Sequence, residues 1–171
     1  MMSEKKRASC LRVLGIDPGT ATIGWGIVEE KNGKLEALAY GHIATSPKKS
    51  EEARLLEIAE DLQKIISCHK PREASVEKLF FFKNQKTVMG VSQGRGAILL
   101  TLAQNKVKIA GYTPLEVKQA ITGYGRAEKK QIQFMTKEIL GLERVPKPDD
   151  TADALALAIC HLNSRKLKGL K

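Results

Sequence analysis

Aromatic residues are scarce: one Trp, three Tyr and four Phe among 171 residues. Recognition of a partner by ring stacking would rest on few side chains. Cysteine is also scarce. Cys10, Cys68 and Cys160 are an odd number, far apart, and none forms C-x-x-C. This argues against a disulfide framework. Cys68-His69 and Cys160-His161 are isolated adjacent pairs without zinc-finger spacing, and are read as core or surface residues. With no secretory signal in the sequence, these cysteines point to a reducing cytoplasm. No apolar stretch approaches the roughly 20 residues that cross a bilayer, so no membrane partner is expected. Neither G-x-G-x-x-G nor G-x-x-x-x-G-K-[ST] occurs. Gly24-Trp25-Gly26 and Gly123-Tyr124-Gly125 are therefore not nucleotide-binding loops of those types. Negative charge is short as well: 19 acids face 29 Lys and Arg, a net charge of +10. That excess favours a polyanionic partner, most simply nucleic acid.

What is present suits one globular domain. The chain is 42% hydrophobic and 28% charged, and long enough to bury about 70% of its unfolded surface. Residues 1–11, with Lys5-Lys6-Arg7, read as a basic flexible extension. Residues 12–165 read as the domain, and 166–171 as a basic tail. Arg12–Ile16 and Thr22–Val28 are predicted as strands joined by the Asp17-Pro18-Gly19 turn. Asn32-Gly33 is a hairpin signal, so Lys34–Ala44 is a third, antiparallel strand. Ser50–Cys68 carries apolar residues at helical spacing behind a Ser50 N-cap. Glu73–Leu79 is a strand, Asn84–Asn105 a helix and Val107–Tyr112 a strand. Helices are predicted at Leu115–Ile121, Ala127–Leu140 and Asp150–Arg165. Strands separated by single helices pair in parallel. The fold class is α/β, a five-stranded mixed sheet with helices on both faces.

Four acids stand out, two against apolar strands and two at the start of an apolar helix. Asp17 ends the first strand, Glu77 lies in the apolar stretch "SVEKLFFF", and Asp150 and Asp153 open the last helix. The i, i+3 spacing puts the last two on one helix face. Each has an ordinary reading: an Asx turn for Asp17, an exposed strand face for Glu77, dipole-favouring acids for Asp149, Asp150 and Asp153. All four ordinary readings together would be a coincidence. If the two strands are neighbours and the last helix packs over their ends, the carboxylates converge. They could not then all remain ionised without cations. Mg²⁺ has the required preference for hard oxygen ligands. Two such ions ~3.5–4 Å apart can activate water and stabilise the leaving oxygen of a phosphodiester.

"LGIDPGTATIGWGIVE", "SVEKLFFFKN", "GRAEKKQI" and "DDTADALALA" resemble, in order and near spacing, the motifs of the RuvC family of Holliday-junction resolvases. The resemblance runs from about Arg12 to Leu162. It implies an RNase H-like (retroviral integrase superfamily) fold and a homodimer. It also implies Mg²⁺-dependent hydrolysis of two symmetric phosphodiesters in four-way junction DNA, with Mn²⁺ able to substitute. Carried over residue by residue, Asp17, Glu77, Asp150 and Asp153 match the metal-binding acids, and Asp149 is read as helix-capping. Lys118 and Lys129 match catalytic, DNA-contacting lysines, with Arg95 a further DNA-binding candidate. Phe80 matches an aromatic that stacks on an unpaired base at the junction centre; Phe81 or Phe82 is expected in the core. Proteins of the branch-migration complex are the implied partners, in a bacterial cytoplasm.

Three other readings compete. An actin- or Hsp70-like ATPase also starts with strand, Asp-turn and strand, but needs two such domains and more residues. A small related nuclease acting on RNA would share the acids, but "GRAEKKQI" and Phe80 favour the junction resolvase. A non-catalytic DNA-binding module explains the charge, but not four acids that would repel DNA.

Overall fold

A computed structural model describes residues 10–19, 21–78 and 85–167. The expected extension up to residue 9, the tail from residue 168 and the Phe80-Phe81-Phe82 run lie outside the described residues. Five strands are described, β1 (Leu11–Asp17), β2 (Thr22–Lys31), β3 (Lys34–Ala44), β4 (Glu73–Glu77) and β5 (Lys108–Tyr112). The helices are α1 (Glu51–His69), α2 (Gln85–Gln104), α3 (Pro114–Thr122), α4 (Lys129–Leu140) and α5 (Asp149–Leu167).

The sheet order is β3-β2-β1-β4-β5. β1, β2 and β3 pair antiparallel, and β4 pairs parallel with both β1 and β5. This is the five-stranded mixed α/β sheet that the sequence predicts. Asn32 (φ 53°) and Gly33 (φ 80°) form the β2–β3 turn, both at the positive φ that such a hairpin demands. Ser50 caps α1, its hydroxyl oxygen accepting from the Ala53 amide at 3.4 Å.

Several boundaries move, each for a local reason. β1 includes Asp17 because Leu11 to Asp17 pair continuously with Glu30 to Gly24, and β2 runs on to Lys31, which pairs with Lys34 of β3. β4 is described only to Glu77. α4 begins at Lys129 and not at Ala127: Glu128 and Gln131 form a capping box that sets its start. Asp149 is the first residue of α5 and not a cap. Its carboxylate is held by Lys147 at 2.6 Å instead of satisfying helix amides.

Helices cover both faces. α1 and α2 pack on the face bearing Leu14, Ile16, Ile27 and Val76. α3, α4 and α5 pack on the face bearing Val13, Val28 and Tyr112. Side chains alternate along a strand, so this second face of β4 presents Glu73, Ser75 and Glu77. Towards one end of it, the Tyr112 hydroxyl meets His161 Nδ1 at 2.8 Å, His161 Nε2 meets Glu73 at 2.6 Å, and Arg165 meets the same carboxylate at 2.9 Å. Cys160 is buried, whereas Cys10 and Cys68 are exposed. No helix among the described residues is long and apolar enough to cross a membrane.

Candidate active site

The site forms because α5 lies directly on the backbone of β1 and β2. A Cβ at Gly15 would overlap the Ala154 carbonyl, and one at Gly24 would overlap the Asp150 carbonyl. At Gly26 it would stand 2.5 Å from Leu155 Cδ2. Gly15 pairs with Gly26, and Asp17 with Gly24. The three glycines thus form one bare strip under the small side chains of α5, including the fully buried Ala154 and Ala158. That close approach carries Asp150 and Asp153 to the end of β1. On the other side, the β1–β4 ladder runs to Ile16 opposite Val76, so Asp17 and Glu77 follow side by side.

Asp17, Asp150 and Asp153 each place a carboxylate oxygen within 4.8 Å of the others. Glu77 joins them: it lines one cleft with Asp153, and its charge acts on Asp17 beside it. All four sequence-predicted acids are therefore brought together. The Thr22 hydroxyl donates to Asp150. Lys129 Nζ lies 2.9 Å from Asp153 and 3.6 Å from Asp149. Lys118 shares with Glu77, Lys129 and Asp153 a cleft of about 200 Å³. Arg95 stands behind the site, its Nε donating to the Glu77 backbone carbonyl at 3.1 Å. Phe80 lies outside the described residues.

The electrostatics follow from crowding. Burial, and then the charges of Glu77, Asp153 and Asp150, push the Asp17 carboxyl up to about 8 against the pull of Lys129. Burial, then Asp153, raises Glu77, although the neighbouring Asp17 carboxyl acts the other way. Burial raises Asp153 despite the hydrogen bond from Lys129. For Lys129, burial works against the charge, but Asp153, Asp149 and Asp150 outweigh it and the pKa rises. Asp149 behaves differently: Lys147 holds it below the usual carboxylate range. The cleft thus holds excess carboxylate in a partly dry setting, with Lys129 paired to Asp153 and Lys118 also lining it. Its donor set is all oxygen, which fits hard divalent ions such as Mg²⁺ or Mn²⁺ and not soft metals.

Sequence reasoning missed two contributors, Thr22 and a glycine strip, and one contact of Arg95. Thr22 carries no motif signal of its own. Arg95 acts here on backbone, which no pattern announces. The glycine strip had a readable trace, alternate glycines at Gly24 and Gly26 opposite an alanine-rich helix, but the close approach shows only once the register is known.

The family model described as "Crossover junction endodeoxyribonuclease RuvC" matches residues 13–161. A protein of that name from Syntrophomonas wolfei is 50% identical over 92% of this chain and 91% of its own length. One from Caldicellulosiruptor saccharolyticus is 53% identical over 90% of this chain and 93% of its own length. Among solved structures, T. thermophilus RuvC in complex with Holliday junction substrate is 32% identical. It covers 94% of this chain and 97% of its own, with a TM-score of 0.88. With the RNase H-like sheet, the seated acids and a matching model over almost its whole length, the chain belongs to the RuvC family of crossover junction endodeoxyribonucleases.

Proposed function

We propose that this chain is a divalent-metal-dependent endonuclease that resolves four-way DNA junctions by hydrolysing two symmetric phosphodiesters during recombination and repair. The observation that carries the reading is the convergence of Asp17, Glu77, Asp150 and Asp153 beside Lys118 and Lys129 in a strongly basic chain. The related T. thermophilus protein, seen with a Holliday junction, supports the substrate.

The four acids are the metal ligands of this reading, with two Mg²⁺ per site and Mn²⁺ able to substitute. Bound there, such ions supply charge neutralisation, activation of water and stabilisation of the leaving oxygen. The chain does the rest. The glycine strip and Thr22 hold Asp150 and Asp153 against Asp17. Lys129 and Lys118 contact the phosphate at the cut and offset charge developing on it. Water attacks phosphorus in line and the 3′ oxygen leaves, so nicked duplexes with ligatable 5′-phosphates result without a covalent enzyme intermediate. Phe80 stacks on an unpaired base at the junction centre, and Arg95 contacts DNA with the guanidinium nitrogens that Glu77 leaves free.

The working unit of this reading is a homodimer in the bacterial cytoplasm. Each copy cuts one of two opposed strands through a single nuclease domain spanning 12–165, and branch-migration proteins are its partners. The test uses a mobile four-way junction labelled on each strand in turn, beside a linear duplex, with Mg²⁺ or with EDTA. Paired symmetric nicks confined to the junction and to Mg²⁺ are expected. Cutting of RNA or plain duplex instead would overturn the reading.

A further inference from the structure

α4 has a second working face. Its first residue, Lys129, turns to Asp153, while the next, Lys130, lines a groove of about 500 Å³ between α4 and the loop after α3. Tyr124, Gln131, Phe134 and Met135 line the same groove. Tyr124 is 58% exposed and Phe134 55% exposed. In a chain with so few aromatics, two rings left open on one groove is more than scattered surface hydrophobicity. The chemistry around them is cationic. Among the described residues, Arg126 and Lys130 form no ion pair. Lys137 lies 5.9 Å from the centre of the Phe134 ring, although it is also bonded to Glu138. The nearest acid on the loop, Glu128, is tied into the capping box with Gln131. Open rings among unpaired cations suit a strand that offers phosphates and base faces together.

We propose that this groove is a nucleic-acid subsite: it takes the unpaired or distorted DNA strand flanking the scissile phosphate, with a base stacked on Tyr124 or Phe134 and a phosphate on Lys130. The inference rests on the junction-cleaving reading above and adds to it a contact that selects for strands able to leave the duplex stack. Lys129 and Lys130 are consecutive and point to different faces, so the acids and the groove flank the same first turn of α4.

The test uses full-length protein carrying Asp17→Asn, bound with Mg²⁺ to a four-way junction. 5-Iodo-deoxyuridine is placed in turn at each position flanking the cleavage site, and photocrosslinked residues are mapped by mass spectrometry. Crosslinks to Tyr124 or Phe134 from a few consecutive positions on one side of the cut are expected. Tyr124→Ala and Phe134→Ala, checked for native circular dichroism, should each weaken junction binding by about tenfold. Lys130→Gln should lower the slope of log affinity against log salt by about 1. Tight junction binding with crosslinks only elsewhere, and unchanged affinity in both aromatic variants, would overturn the groove and leave the junction reading standing. Failure of the Asp17→Asn protein to bind any junction would overturn both.

Discussion

Asp17 and Gly24 face one another across the β1–β2 ladder, and the Asp150 carbonyl of α5 rests where a side chain on residue 24 would be. One residue without a side chain thereby sets the spacing between two acids of the site. Gly24→Ala should cost about 1–3 kcal/mol of stability through overpacking. The larger effect is expected at the site, because α5 must lift and carry Asp150 away from Asp17. Titration with Mn²⁺ followed by electron paramagnetic resonance should show weakened binding in protein that is still folded. Unchanged metal affinity would show that α5 slides without disturbing the acids.

Asp17→Asn should abolish cleavage while leaving junction binding intact, since it removes a metal-directed charge and none of the basic surface. The same substitution should stabilise the metal-free protein near pH 8 by removing a buried carboxylate. A melting-temperature rise of roughly 5 °C is expected for a chain of this size.

Stability of the metal-free protein should fall as pH rises. Asp17 is shifted from 3.8 up to about 8 by burial and by Glu77, so the folded state holds its proton more tightly than the unfolded chain. That contribution is complete below about pH 4 and is lost as pH rises through about 8. The shifts of Glu77 and Asp153 have the same sign. Thermal melts in EDTA from pH 5 to 9 should show the decline, and Asp17→Asn should flatten it. Added Mg²⁺ should raise the melting temperature more at pH 8.5 than at pH 6, because ligation requires the deprotonated acids.

Lys129→Met should lower single-turnover cleavage by about 10²–10³-fold, the range seen when one preorganised charge-stabilising donor is lost. Its neighbours raise its pKa, so the ammonium is present throughout the working range. Equilibrium binding of duplex DNA should change little by comparison, since only one phosphate contact is removed.

His161→Leu tests the other end of the α5 face. The Tyr112 hydroxyl and the Glu73 carboxylate would each lose a buried partner, although Arg165 still holds Glu73. A loss of about 2–3 kcal/mol in denaturant unfolding is expected, with metal affinity unaltered.

The sequence carried the architecture well, because its signals were local. Asn32-Gly33 sets the hairpin and Ser50 sets the start of α1. The four acids could be singled out because a carboxylate ending an apolar strand or opening an apolar helix contradicts its surroundings. Where reading by pattern failed, the cause was a specific side-chain partner, near in sequence for Asp149 and Glu128 and far for His161 and Thr22. Asp149 has the spacing of a cap, yet Lys147 claims its carboxylate. Ala127 is read as the first residue of α4, yet the Glu128–Gln131 box starts the helix at Lys129. His161 was unremarkable in sequence until folding set Glu73 and Tyr112 on either side of it, from positions 88 and 49 residues away. Thr22 reaches Asp150 across 128 residues, a pairing that no local pattern encodes.

The acids come from β1, β4 and α5, and so from the beginning, the middle and nearly the end of the chain. A ribosome must deliver Asp153 before the cleft can exist. A nascent or truncated chain without α5 keeps Asp17 and Glu77 but lacks half the carboxylates and the helix that presses them together. On the proposed reading of the acids, the nuclease is thus disarmed throughout its own synthesis, and proteolytic removal of a single helix would suffice to disarm it again.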